Sequence, residues 1–204
     1  MTACTVSRAD IDKAIAFHGH TCPGLVIGIR AAELALQRLG RLAPPDMLAI
    51  TETDMCGVDA IQVLTGCTYG KGNLIHRDLG KMAFSFFDRR DGHGLRVVLK
   101  RTSREPAHED YVRATDRLAE GTATAADRAL VAEYRASEQE RLLALDLDDM
   151  FDVIPVVDGM PRPARILKSL VCEQCGESVM ESRTRRFSGR TLCIPCFDAV
   201  EQKV

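Results

Sequence analysis

The chain has 204 residues, 46% of them hydrophobic and 27% charged, enough for one substantial core and a small accessory unit. A formal net charge of -2 supplies no field that would gather nucleic acid or an anionic membrane. No apolar run approaches the roughly 20 residues of a membrane span, and the opening MTACTVSRADIDK lacks the apolar core of a secretory signal, so a cytoplasmic protein without a membrane partner is expected.

The first predicted element is a helix. Ser7 and Asp10 have the spacing of a cap, Ile11, Ala14, Ile15 and His18 follow at helical intervals, and Gly19 ends the run. A second helix begins at Pro23, with Thr21 or Cys22 as its cap, and continues through LVIGIRAAELALQRLG to Gly40. It is apolar nearly all round, and Gly24, Gly28, Ala32 and Ala35 form a stripe of small residues where another backbone can approach. A strand over MLAITET, a short helix around VDAIQVLT and a loop over GCTYGKGNLIH come next. KMAFSFFDRRDGHGLRVVLKR has the pattern of two strands joined near Asp91 and Gly92. From about residue 108 to 146 the pattern is helical, broken at GTAT, where Thr124 can cap a second helix; FDVIPVV then reads as a strand.

These elements predict an α+β fold, a mixed core with an antiparallel sheet and packed helices, over residues 1–160. Residues 161–169, rich in proline and charge, are expected to link it to a zinc ribbon over 170–204.

Eight cysteines in a reducing compartment point to metal or thiol chemistry rather than disulfides. Cys4 lies in an end expected to fray. Cys172, Cys175, Cys193 and Cys196 form two Cys-x-x-Cys pairs separated by 17 residues. Four thiolates satisfy tetrahedral zinc at about 2.3 Å, and a unit this small needs the metal to fold. Arg183, Arg185, Arg186 and Arg190 lie between the pairs, yet residues 172–204 carry five basic and five acidic side chains. A solvated hairpin face or a protein contact fits that balance better than nucleic acid.

Residues 17–24, FHGHTCPG, place two histidines and a cysteine at a helix break. Neutral imidazole and thiolate suit zinc, nickel or ferrous iron, and a helix N-terminus favours the thiolate. A second cluster, DMCGVDAIQVLTGC, offers Cys56 at a strand-to-helix transition, with Asp59 and Gln62 in the first turns and Cys67 beyond Gly66. We expect His18, His20, Cys22, Cys56 and Cys67 to converge as a candidate second metal site, with Cys22 and Cys56 the leading thiolates and Asp59 orienting a histidine. Thr68, Lys71, Asn73 and Lys81 are expected to line a pocket for a small anionic ligand, with Lys71 and Asn73 at its mouth. Spacing does not decide which histidine binds.

FHGHTCPGLVIGIRAA, CGVDAIQVLTGCTYGKGNLIHRDLGKMAFSFFDR and the terminal CEQC and CIPC pairs resemble the FmdE family, the E-subunit family of formylmethanofuran dehydrogenase. The resemblance covers both ends and most of the first 90 residues. It implies an α+β core with a helical portion and a zinc ribbon, often assembled as a homodimer, which the apolar second helix also invites. The named enzyme fixes carbon dioxide on methanofuran at a molybdenum or tungsten pterin centre. This chain has no ferredoxin-like cysteine run, so the resemblance implies at most an accessory part in that reaction. Three functions then stand. In the first, the chain is a metalloenzyme or an oxidoreductase subunit acting on a one-carbon or acyl-type substrate, with Cys22, Cys56, His18 and Asp59 as catalytic residues. The second is a metal chaperone or maturation factor for a larger molybdoenzyme partner. The third, a regulator acting through its ribbon, is disfavoured by the charge balance.

Overall fold

The computed structural model describes residues 4–43, 46–103 and 108–200. The chain divides into two compact units, Met1–Pro163 and Ala164–Val204. The first is the α+β domain, and its centre is a helix.

Helix α1 (Arg8–His18) starts because the Ser7 side chain accepts the Asp10 N–H, and stops where Gly19 turns to φ 87° and donates to Ile15 O. Helix α2 (Pro23–Leu39) is capped by Cys22 and has proline in its first turn. Every residue from Leu25 to Ala35 is buried, the charged Arg30 and Glu33 included. Arg30 pairs with Glu33 at 2.6 Å and donates to Leu145 O, while Glu33 accepts both the Thr5 N–H and its hydroxyl. That network pairs charges which would otherwise be costly to bury, although Arg30 Nε has no hydrogen-bond partner among the described residues. It also anchors the N-terminal segment. Cys4, expected to fray, is half-buried and donates its N–H to Leu143 O at 3.2 Å.

Strand β1 (Met47–Thr51) is entirely buried, and helix α3 (Gly57–Thr65) follows it. Strands β2 (Leu74–His76), β3 (Ala83–Asp88), β4 (Gly94–Leu99) and β5 (Phe151–Val156) complete a five-stranded sheet in the order β2-β1-β3-β4-β5. Only β1 and β2 run parallel; the other neighbours are antiparallel. Alternation along the strands sends Met47, Ala49, Phe84, Phe86, Leu95 and Val97 towards the helices. Leu48, Ile50 and Phe87 face the other way, packed with Ile75, Val156 and Met160. Strand β2 falls in the segment expected to be a loop: with three residues it has no periodicity to read, and parallel pairing to β1 makes it a strand.

Helix α4 (Glu109–Ala119) and helix α5 (Ala125–Ala144) form the expected helical segment, and a short α6 (Leu147–Met150) leads into β5. Thr124 and Asp127 make a reciprocal capping box at the start of α5. Helix α2 packs against α1, α3, α5, β3 and β4, so its apolar circumference is covered within one chain.

The second unit holds two small hairpins, β6 (Ser169–Val171) with β7 (Ser178–Met180) and β8 (Thr184–Phe187) with β9 (Arg190–Cys193), followed by α7 (Ile194–Asp198). Its core is minimal: Cys172, Leu192 and Cys193, flanked by Val179, Phe187, Cys196, Phe197 and Val200. Among the described residues no helix is long and apolar enough to cross a membrane.

Candidate metal centres

The N-terminal site is built where three helix ends meet. His18 is the last residue of α1, and Gly19 turns the chain so that Cys22, four positions on, caps α2. The Cys22 sulfur accepts the Leu25 N–H at 3.4 Å, which holds it at the positive end of that helix. His18 Nε2 lies 3.9 Å from the Cys22 sulfur, and the His20 ring lies over His18 with centroids 4.4 Å apart. One donor atom from each of His18, His20 and Cys22 falls within 4.8 Å of the others. Tetrahedral ligands on an ion sit about 3.5 Å from one another, so a small inward movement would close this set on a metal.

Cys56 lies outside that set of three, but it approaches the Cys22 sulfur from α3 because two helices touch at glycines. A Cβ on Gly28 would fall 2.1 Å from Gly57 O, and one on Gly57 would fall 3.1 Å from Gly28 Cα. Only hydrogen fits there, and the N-termini of α2 and α3 are drawn together. A Cβ on Gly24 would lie 3.7 Å from the Cys56 sulfur and 3.9 Å from the Cys22 sulfur. Burial, and then the neighbouring Cys22 thiol, push the Cys56 pKa up, so Cys56 carries its proton until a cation displaces it.

Asp59, in the first turn of α3, decides between the histidines. Its Oδ2 accepts from His18 Nδ1 at 2.7 Å, while its Oδ1 accepts from Gln62 Nε2 at 3.4 Å. The proton is thereby held on Nδ1, and Nε2 is left with a lone pair facing Cys22. His18 is largely enclosed, with 11% of its side chain exposed, whereas His20 is exposed. The donor set of imidazoles and thiols, with a carboxylate behind the inner histidine, fits a borderline ion such as zinc, nickel or ferrous iron.

The other expected residues are elsewhere. Cys67 is fully buried and donates to Met47 O at 3.4 Å; burial pushes its thiol up, and it belongs to the core rather than to the cluster. Asn73 is buried as well, accepting the Thr68 N–H and donating to Met47 O, and so stitches the loop after α3 to β1. Lys71 Nζ caps α3 by donating to Gly66 O at 2.7 Å. Cys67, Thr68, Lys71 and Asn73 all lie at the C-terminal end of α3. Nine residues of helix, about 13 Å, separate that end from Cys56, so Lys71 and Asn73 form no cleft mouth there. Lys81 is exposed beside Glu52, whose carboxyl is held low chiefly by Arg96 and in smaller part by Lys81 and Arg77. One contact had no signal in the sequence: Thr21 hydrogen-bonds Gln139 of α5, which ties the FHGHTCPG turn to a helix 118 positions away.

In the second unit the sulfurs of Cys172, Cys175, Cys193 and Cys196 all lie within 4.8 Å of one another. Gly176 turns the first knuckle at φ 79° and donates to Cys172 O. Backbone N–H groups of Cys175 and Cys193 lower the Cys172 thiol to about 6, whereas the adjacent Cys193 sulfur raises Cys196 to about 12. Four crowded sulfurs share protons unevenly without a cation. A divalent ion would let all four ionise, and the arrangement fits a structural zinc. Arg186 hydrogen-bonds Thr191 within the β8–β9 hairpin, and Arg190 hydrogen-bonds Gln174 in the turn between β6 and β7.

Comparison with known proteins finds a family match for each unit. Residues 17–152 match the family model described as "FmdE, Molybdenum formylmethanofuran dehydrogenase operon", and residues 165–202 match the prokaryotic dksA/traR C4-type zinc finger. A probable S-adenosyl-L-methionine-binding protein of Archaeoglobus fulgidus is 33% identical over 196 residues; the match covers 90% of this chain and 51% of that protein. The chain thus spans about half the length of that relative. An FmdE-like protein of the tungsten formylmethanofuran dehydrogenase type from Syntrophus aciditrophicus has a similar crystal structure, with 28% identity and a TM-score of 0.62, covering 92% of this chain and 89% of that one. A family model spanning well over half the chain, a matching solved fold and a four-cysteine finger lead to one conclusion: the chain belongs to the FmdE family and carries a C-terminal zinc ribbon.

Proposed function

We propose that this metal-binding FmdE-like protein holds a reactive transition-metal ion, zinc, nickel or iron, at His18, His20, Cys22 and Cys56, and serves one-carbon metabolism as an accessory subunit or small metalloenzyme. The observation that carries the reading is the line Asp59–His18–Cys22. A carboxylate 2.7 Å from Nδ1 and a sulfur 3.9 Å from Nε2 are the arrangement a ligating histidine needs. When bound, the ion would supply Lewis acidity and polarise a substrate oxygen or water. The chain's own part is to fix the His18 tautomer through Asp59, to hold the Cys22 sulfur at the α2 N-terminus, and to present the Cys56 thiol, whose proton a bound cation would displace. His20, being exposed, is the ligand best able to move aside for a substrate.

That exposure also favours a second reading, in which the ion is cargo passed to a larger molybdoenzyme partner. Slow exchange supports the role within an enzyme; rapid transfer to a competing chelator supports delivery. Homodimer formation is a further proposal of the same reading, and dilution-dependent light scattering tests it. The decisive experiment is elemental analysis of the wild type and Cys22→Ser. The wild type should carry a second equivalent of metal beyond the ribbon zinc, and the variant should lose that equivalent alone. A single equivalent unchanged by the substitution would remove the proposal.

A further inference from the structure

We propose that Cys22 and Cys56 are also an oxidative modification site, a dithiol that closes to a disulfide and thereby opens the metal position. The disulfide stands on geometry alone; only its consequence, release of the ion, rests on the metal reading above.

The two cysteines cap neighbouring helices, α2 and α3. Their backbones are brought together by the Gly28–Gly57 contact, where a Cβ on Gly28 would fall 2.4 Å from Gly57 Cα. A disulfide needs such an approach, because its Cβ atoms must come to about 3.8 Å. The residue between the two cysteines is Gly24, which puts no side chain in the way. A Cβ there would lie 3.3 Å from Cys56 Cβ and 3.9 Å from the Cys22 sulfur. Both residues are half-buried, which admits a small oxidant. The other two thiols of this unit are differently engaged. Cys67 is fully buried against Met47 O, and Cys4 lies against Val6 and Arg30.

With hydrogen peroxide as oxidant, one sulfur attacks the O–O bond, giving a sulfenic acid and one water. The second sulfur then attacks the sulfenic sulfur, the S–S bond forms, and a second water leaves. The two thiols lose two protons and two electrons, and the peroxide is reduced to two waters. A disulfide offers no thiolate, so the closed pair leaves an ion with His18 and His20 alone, too few to hold it. A bound ion, conversely, occupies both sulfurs and shields them.

The test uses the full chain, as purified and after loading with zinc, treated with one equivalent of peroxide and mapped by mass spectrometry without reduction. The expected product is a Cys22–Cys56 cross-link, lighter by two hydrogens and reversed by dithiothreitol, with slower formation in the zinc-loaded sample. Loss of the N-terminal ion to a chromophoric chelator should run in step. Cys67→Ala should leave the cross-link intact, while Cys56→Ser should stop at a Cys22 sulfenic acid that a dimedone probe captures. Cys22 recovered as a free thiol, or joined to another cysteine, would overturn the proposal. Cross-linking in a chain that binds no N-terminal metal would uphold the couple and remove the metal reading. Metal binding with no cross-link would do the reverse.

Discussion

A carboxylate that accepts the Nδ1 proton of a histidine both fixes the tautomer and makes Nε2 a better donor. Asp59 does this to His18 across the α1–α3 contact. Asp59→Asn keeps the shape but removes the charge, and its amide can present an N–H to Nδ1, which would favour the tautomer with the proton on Nε2. We predict that this variant binds its N-terminal metal about 10- to 100-fold more weakly, read by competition with a chelator, while the ribbon zinc is unaffected. Equal affinity would mean that His18 is not a ligand. A matched control is available in Cys67→Ala, which touches the core and should change stability without changing metal affinity.

At the scale of elements, the site depends on how closely α2 and α3 approach. Gly28→Ala sets a methyl 2.1 Å from a backbone oxygen that cannot move out of the way, so the helices must separate. We predict a loss of about 1–3 kcal/mol in denaturant unfolding, together with weaker metal binding. Gly24→Ala meets only side-chain atoms, at 3.3 Å and beyond, and gains helix propensity. It should fold normally and report on the thiols alone. The α4–α5 hairpin carries a different device. Asp127 accepts from Arg117 at 3.0 and 2.5 Å and from the Thr124 N–H and hydroxyl, and Arg117, followed by Thr124, holds its carboxyl well below the usual range. A depressed folded pKa stabilises above the unfolded value, near 4, and that contribution is lost as pH falls below it towards the folded value. We therefore expect the stability gap between wild type and Asp127→Asn to be full at neutral pH and to close below about pH 4. A gap that widened in acid would contradict this sign.

Most of these elements were legible because their ends carry chemical marks. Ser7, Gly19, Pro23 and Thr124 each occupy the cap position their type favours. Strand β2 and helix α6 were not, being too short for a period to repeat. The site was half legible. Clustering along the chain pointed to His18, His20 and Cys22, and the glycines pointed to a close helix contact. But Cys67, Lys71 and Asn73 sit next to Cys56 in sequence and at the far end of α3 in space. A helix separates its two ends by its own length, and glycine-rich surroundings say nothing about which end faces a ligand.

At the scale of the whole molecule, the two units are held by different physics. The first buries Leu25 to Ala35 of α2 and the whole of β1, so its stability is a matter of packing. The second has three buried residues in its core and two short hairpins, too little apolar surface to offset the entropy of ordering its chain. Four thiols within 4.8 Å take the place of a core, and zinc supplies the missing free energy. Cys193 is the most informative of the four, since it ends β9, begins α7, and donates its N–H to the Cys172 sulfur. Cys193→Ser keeps that N–H and nearly the same volume but removes a thiolate. We predict that it releases the ribbon zinc to a chelator and exposes residues beyond Ala164 to protease. The melting transition of Met1–Pro163 and its N-terminal metal should stay as in the wild type, because that unit has a core of its own. Calorimetry with limited proteolysis reads both at once. Zinc retained against chelator would show that three thiolates suffice, and unfolding of the first unit along with the second would show that the ribbon, small as it is, is part of a single cooperative structure.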